Sequence, residues 1–208
     1  MAEDDRPQIY LVTPPDIDLM AFPDRLAAVL DAHAVACLRL SLATRDEDTL
    51  LRAADAVREV AHAHDVALVI DTHIVLAERL GLDGVHFPDG GRSVRAARKE
   101  LGPDAIVGAF CGTSRHDGMN AGEAGADYVA FGPVAETALG DGSVAERELF
   151  EWWSQMIELP VVAEGGLTEA VIRDLAPVVD FFSVGEEIWR TEDPAGALGA
   201  LIAAMDQG

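Results

Sequence analysis

Short apolar runs alternate with amphipathic segments along the whole chain. The runs are rich in Val, Ile and Leu, which is typical of strands that are buried on both faces of a sheet. They predict strands at residues 9–12, 35–40, 66–70, 84–87, 105–110, 128–131, 161–163 and 181–184. The pattern therefore predicts that each strand is followed by a helix.

The segments between these runs carry apolar residues at the three- and four-residue spacing of helices. Leu26, Val29 and Leu30 mark the first helix, and Leu50, Leu51, Val57 and Val60 mark the second. Later helices are predicted at residues 74–80, 93–101, 120–123, 146–157, 169–175 and 194–205. Start signals support three of them: Ser143 precedes Glu146 at capping-box spacing, Thr168 can cap a helix, and Pro194 suits a first turn.

Eight strand–helix units in 208 residues leave about 26 residues for each unit. Strict alternation favours a parallel sheet, and eight units favour a closed (β/α)8 TIM barrel formed by residues 1–208 as a single domain. An open, doubly wound sheet is the alternative. In a barrel of this kind, functional residues lie at the carboxyl ends of the strands.

Charge narrows the partners that this barrel can bind. The chain has 15 Lys and Arg against 37 Asp and Glu, a net charge of −22. That balance disfavours nucleic acid and anionic lipid, because both are bound by surplus basic residues. The start MAEDDRPQIYLV has no signal-peptide pattern, and two cysteines are too few for a disulfide framework. We expect a soluble, cytoplasmic protein with a small-molecule ligand.

Several side chains at the predicted strand ends can carry chemistry. Gly165–Gly166 follow a strand and open a helix, where backbone N–H groups can cradle a phosphate; the structural alternative is a tight turn that needs glycine. Asp71, His73 and His86 can bind a metal or exchange protons, or His86 can be an ordinary hydrogen-bonded residue. Cys111 is interpreted as a small structural cysteine rather than a nucleophile.

The order of motifs resembles the thiamine phosphate synthase family and its thiazole tautomerase relatives. The matching stretches run from residue 9 to about residue 189 and are IYLVTPP, LVIDTHIVLAERLGLDGVHF, IVGAF, GADYVAFGPVAET, PVVAEGGLTEAVI and VDFFSVGEEI. The resemblance implies a (β/α)8 enzyme that joins an aminopyrimidine diphosphate to a thiazole phosphate and releases diphosphate. It also implies Mg²⁺ as cofactor.

Part of the family's site is retained. The resemblance matches Arg39 to the arginine that ends the second strand, and Thr137 to the threonine of the GPxxxT loop. It matches Gly165 and Gly166 to the phosphate-binding glycines. With Gly185 and Glu186 of the final phosphate loop, these residues are the predicted substrate-binding set. Arg39, Asp71 and His73 are the candidate catalytic residues.

Other positions depart from the family. The glutamine and lysine of Gln-Leu-Arg-Glu-Lys are lost in residues 37–41, and the lysine expected beyond Thr137 is absent. Thr72 stands where a metal-binding aspartate is expected, and Asp89 can replace the second metal aspartate only with a shift. The diphosphate-contacting Gly-Val-Ser reads Gly-Ala-Phe at residues 108–110. Pro133 replaces the histidine of the tautomerases.

These departures share a direction. The family's lysines are missing, and Glu136, Glu164 and Glu186 lie at the predicted barrel mouth. A carboxylate about 4 Å from a phosphate oxygen costs about 4 kcal/mol at an effective dielectric constant of 20, so these glutamates disfavour a phosphate there. Three hypotheses remain open: a synthase with a modified diphosphate and metal site, a binding or regulatory module for a thiamine-related or cationic ligand, and a metal-dependent activity. The adjacent Trp152 and Trp153 make a homo-oligomer a further expectation.

Overall fold

The fold, described by a computed structural model for residues 6–136 and 142–207, is a closed barrel of eight parallel strands in sequential order. The strands are β1 (Gln8–Val12), β2 (Cys37–Leu40), β3 (Ala67–Asp71), β4 (Gly84–Phe87), β5 (Ile106–Phe110), β6 (Tyr128–Phe131), β7 (Val161–Glu164) and β8 (Phe181–Val184). β1 pairs with β8 in the register Gln8 to Phe181, which closes the barrel. The predicted (β/α)8 barrel is confirmed, and the open sheet is excluded.

Nine helices in the described residues surround the strands. They are α1 (Phe22–Ala32), α2 (Glu47–Ala63), α3 (Ile74–Leu80), α4 (Val94–Leu101), α5 (Arg115–Ala124), α6 (Arg147–Met156), α7 (Glu169–Leu175), α8 (Glu186–Trp189) and α9 (Pro194–Met205). Thr168 caps α7 by accepting from the Val171 N–H, and Pro194 begins α9, as the sequence predicts. None of the described helices is long and apolar enough to cross a membrane.

Helix starts are where the sequence predictions were least accurate. The capping box at Ser143 and Glu146 is wrong, because α6 begins at Arg147 and Glu146 is itself the N-cap. α5 begins at Arg115, well before the predicted residue 120, with Ser114 as its side-chain cap. The helix has weak apolar periodicity because glycine, rather than a large apolar residue, contacts the barrel there. A Cβ on Gly118 would lie 2.7 Å from the rings of Phe131 and Trp153.

The barrel interior contains a buried polar chain beneath the mouth. The hydroxyls of Tyr10 and Tyr128 are 2.6 Å apart, and the Tyr128 hydroxyl is 2.9 Å from His86 Nδ1. Gly108 on β5 leaves the space for the Tyr128 ring, since a Cβ there would lie 2.0 Å from Tyr128 Cζ. The floor of the mouth is therefore a fixed set of rings joined by hydrogen bonds, not a loosely packed apolar core.

Candidate active site at the carboxyl ends of the strands

A cavity of about 350 Å³ opens at the carboxyl ends of β1, β2, β7 and β8. In (β/α)8 barrels this end of the sheet carries the active site. The cavity is lined by Val12, Thr13, Pro15, Arg39, Ser41, Glu164, Gly165, Gly166, Ser183, Gly185, Glu186 and Glu187. It therefore brings together one predicted catalytic residue, Arg39, with four of the five predicted substrate-binding residues.

Arg39, at the end of β2, is held by a carboxylate from across the barrel. The guanidinium is 6% exposed and donates two hydrogen bonds to Glu164 at the end of β7, at 2.6 and 3.1 Å. It also lies over the Tyr10 ring, 5.8 Å from the centroid. Burial is the largest single effect and opposes the charge, but Glu164, Tyr10 and Asp71 together outweigh it and hold the pKa of Arg39 well above its usual value. Arg39 is thus a fixed, buried cation.

Asp71, at the end of β3, is the second carboxylate beside Arg39. Its Oδ1 lies 3.6 Å from Arg39 Nε, and neither of these buried atoms has a hydrogen-bond partner in the described residues. Burial raises the pKa of the Asp71 carboxyl, and the nearby Arg39 charge offsets this only in part. Arg39 lines the cavity whereas Asp71 does not, so the unpartnered Asp71 oxygen lies behind the arginine rather than in the cavity wall.

The predicted metal and acid–base residues do not form one cluster. His86 is 3% exposed and engaged by Tyr128, and burial holds its pKa well below the usual value, so the ring is neutral. This agrees with the hydrogen-bonded alternative for His86. His73 is the N-cap residue of α3, and its side chain makes no capping hydrogen bond to that helix. Asp89 is exposed and accepts a hydrogen bond from Ser93 Oγ at 2.8 Å.

The side chains present do not fit a magnesium site of the kind that the resemblance implies. Thr72, at the position of a metal-binding aspartate, adopts a φ of 60°, which is rare for a β-branched residue. Across residues 6–136 and 142–207, no group of three or more His, Cys, Asp or Glu side chains is arranged to hold a metal ion. Mg²⁺ prefers carboxylate and phosphate oxygens in near-octahedral geometry, and Asp89 with Thr72 does not supply that set.

Gly165 and Gly166 form a turn that only glycine adopts without strain. Both residues have φ near +80°, and a Cβ on Gly166 would lie 3.0 Å from the Ala135 Cβ. The structural alternative for these glycines is therefore sufficient to explain them. The turn also directs the next backbone N–H, that of Leu167, toward a carboxylate from the loop after β8.

That carboxylate belongs to Glu187, which sequence reasoning missed. Glu187 Oε2 accepts from the Gly185 N–H at 2.9 Å, and Oε1 accepts from the Leu167 N–H at 3.4 Å. Its neighbour Glu186 instead pairs with Arg190 at 2.5 Å on the exposed side of the same turn. A glutamate within the final phosphate loop was a visible signal, but sequence does not tell which of the two glutamates turns inward.

The electrostatics of the mouth are acidic, although less so than the sequence predicted. Among the described lining residues, Arg39 is the single basic side chain against Glu164, Glu186 and Glu187. Glu164 is not a free anion, because Arg39 neutralises it through two hydrogen bonds. Glu136 is exposed and does not line the cavity. Thr137 lies outside the described residues.

Fold and mouth together define a (β/α)8 barrel with a polar cavity at the carboxyl ends of its strands. Residues 9–188 match the sequence profile of the thiamine monophosphate synthase family. The thiamine-phosphate synthase of Rhodospirillum centenum is 42% identical over 93% of this chain and 94% of its own length, and that of Erythrobacter litoralis is 41% identical over 94% of each. This chain belongs to the thiamine monophosphate synthase family.

Solved structures agree on the fold. The thiamine phosphate pyrophosphorylase of Pyrococcus furiosus superposes with a TM-score of 0.83 at 21% identity, covering 96% of each chain. The orotidine 5'-phosphate decarboxylase of Pyrococcus horikoshii superposes with a TM-score of 0.67 at 16% identity, covering 94% of this chain and 99% of the other. At such identities the likeness concerns the barrel alone, so the chemistry of the site has to be argued from its own residues.

Proposed function

We propose that this protein is a transferase of thiamine biosynthesis that joins an aminopyrimidine diphosphate to a thiazole at the barrel mouth. The observation that carries the proposal is the 42% identity to a thiamine-phosphate synthase over nearly the whole of both chains. The position of Arg39 in the mouth and the glycine turn at Gly165–Gly166 agree with it.

The proposed reaction develops a positive charge on the thiazole ring and a negative charge on the departing diphosphate, and the mouth has side chains of both signs. The thiazole nitrogen forms a bond to the methylene carbon of the pyrimidine, and the bond from that carbon to the diphosphate oxygen breaks. Diphosphate departs with the bonding electron pair, and the product carries a positive thiazolium ring. Asp71 offers a carboxylate that stabilises positive charge, and Arg39, although paired with Glu164, is the basic side chain among the described lining residues that can meet the departing anion.

The remaining site assignments belong to this proposal. Arg39, Asp71 and His73 act on the reacting groups. Gly185 and Glu186, together with the glycine turn and Thr137, bind substrate. Asp89 is the candidate metal ligand from the resemblance, but its bond to Ser93 and the missing aspartate at position 72 leave no magnesium-dependent step to assign.

Turnover tests the proposal directly. The purified protein is incubated with the aminopyrimidine diphosphate and either the thiazole phosphate or the thiazole alcohol, with and without Mg²⁺, and the thiamine products are separated by chromatography. We expect product that is lost in Arg39→Met, whereas Glu123→Gln on the exposed side of α5 retains it. Absence of product with every acceptor at high enzyme concentration, beside an active relative, contradicts the proposal.

A second candidate function is suggested by the acidic mouth. Three glutamates face one arginine there, which favours a cationic ligand such as thiamine over a diphosphate. A barrel without turnover would then act as a binding or regulatory module. Calorimetry with thiamine, thiamine phosphate and the two precursors distinguishes the functions. Binding of thiamine without turnover supports the module, and binding restricted to phosphate-bearing ligands contradicts it.

A further inference from the structure

The Glu187 carboxylate lines the mouth and is bound by backbone amides. Its two carboxylate oxygens bridge backbone N–H groups from two different loops, that of Gly185 after β8 and that of Leu167 after β7. The loops after the seventh and eighth strands are where (β/α)8 barrels commonly bind phosphate. A carboxylate that accepts one bond from each loop satisfies the same donors that a phosphate would use.

The glutamate is held there by the local backbone. Gly165 and Gly166, both with φ near +80°, turn the chain so that the Leu167 N–H faces the loop after β8. Glu187 is half-buried, while Glu186 is exposed and paired with Arg190. The two adjacent glutamates therefore have different environments, and only Glu187 contacts the amides.

A second observation points to a polar ligand group at this end of the cavity. Ser183 Oγ is buried, with the residue 3% exposed, and has no hydrogen-bond partner in the described chain, yet Ser183 lines the cavity. A serine hydroxyl both donates and accepts, so it can pair with a ligand hydroxyl. A buried hydroxyl without a partner is costly unless a ligand or water satisfies it.

We propose that Glu187 is a specificity-determining residue that fills the anion position of the mouth and makes it select an acceptor without a phosphate. The inference rests on the proposed function, and it names the acceptor class as a neutral thiazole alcohol. A phosphate on the acceptor has to displace the Glu187 carboxylate from its two amides or lie beside it. Both raise the free energy of the complex, through lost hydrogen bonds or like-charge repulsion.

Binding of inorganic phosphate tests the filled position without any turnover. Phosphate is titrated by calorimetry into the wild type, Glu187→Ala, Glu187→Gln and Glu192→Gln. Glu187→Ala frees both amides and removes the charge, so we expect it to bind phosphate at least about tenfold more tightly than the wild type. Glu187→Gln keeps the shape and an accepting oxygen, so we expect an intermediate affinity.

Glu192→Gln is the matched control, because it removes the same charge five residues along the chain, from an exposed side chain that does not line the cavity. We expect it to bind phosphate within about twofold of the wild type, since its carboxylate is exposed to solvent and lies outside the cavity lining. Equal phosphate affinity in all four proteins overturns the proposal, as does tight binding by the wild type. Glu187→Gln is isosteric, so the comparison survives if Glu187→Ala does not fold.

Acceptor preference gives a second readout. We expect the wild type to have the higher kcat/KM with the thiazole alcohol and Glu187→Ala to shift the ratio at least about tenfold toward the thiazole phosphate. An unchanged ratio overturns the assignment of Glu187. Absence of turnover with both acceptors contradicts the proposed function instead, and the phosphate titration then still decides whether Glu187 excludes an anion.

Discussion

Replacing Glu164 by glutamine tests the assignment of Arg39 as a buried cation that depends on a carboxylate across the barrel. The substitution preserves the shape of the side chain and one accepting oxygen but removes the negative charge. The Arg39 guanidinium, with 7% of its side chain exposed, then keeps only Asp71, which is 3.6 Å away, as a charged partner. We therefore expect loss of stability rather than a neutral change.

The magnitude follows from the geometry of the pair. Breaking a buried ion pair by removing one partner costs about 3–5 kcal/mol. Three features reduce this cost here: Glu164 is 23% exposed, Asp71 remains as a charged partner of Arg39, and glutamine retains one hydrogen bond. We expect the free energy of unfolding to fall by about 2 kcal/mol, and Tm by about 4–8 °C for a chain of this length.

Urea unfolding of four proteins measures the effect. These are the wild type, Glu164→Gln, Arg39→Met and the double variant, with Glu123→Gln as an exposed control expected within about 0.5 kcal/mol of the wild type. Removing both partners leaves no unpaired charge between them, so we expect a coupling free energy of at least about 1 kcal/mol. Glu164→Gln within 0.5 kcal/mol of the wild type would refute the reasoning.

Three further predictions concern the core, the thiols and the response to pH. Gly108→Ala places a methyl 2.0 Å from Tyr128 Cζ, so we expect urea unfolding to show a loss of about 1–3 kcal/mol or more. Burial raises the pKa of both cysteine thiols to about 12, so neither should react with a disulfide reagent until the protein is unfolded, when two equivalents react. Hydrogen bonds of the His64 ring to the Val60 carbonyl and to Asp31 raise its pKa above 6.5. Protonated His64 therefore stabilises the fold below pH 6.5, and this stabilisation is lost as pH rises through the folded-state pKa. We expect His64→Gln to remove this pH-dependent loss of the free energy of unfolding, measured by urea unfolding at a series of pH values.

The strands could be predicted closely because their signal is local. β4, β6 and β8 begin and end at the predicted residues, and the other strands differ by no more than two residues at either end. A strand buried on both faces requires consecutive apolar residues, and the alternation with helices requires a parallel sheet. α5 and α8 were harder to predict: α5 packs through glycine, and α8 is a single turn, too short for a periodic signal.

The sequence predicted where the candidate site lies, but not how its side chains pair with one another. Reading past the strand ends found Arg39, Glu164 and Gly165–Gly166, because barrels gather these ends at one face. The sequence also predicted that Glu164 would repel a phosphate. In the structure Glu164 is paired with Arg39, and Glu187 is the carboxylate that reaches the amides of the mouth.

The sequence by itself determined the barrel, the face that carries the site and the acidic balance of −22, since hydrophobic period and charge count are properties of the chain alone. Only the tertiary structure decided which charged side chains form ion pairs or bind backbone amides. Arg39 and Glu164 are 125 residues apart in sequence and touch because closure of the sheet sets β2 and β7 around one mouth. Likewise, the turn after β8 directs Glu187 inward and Glu186 toward Arg190, because a turn of backbone places neighbouring side chains in different environments.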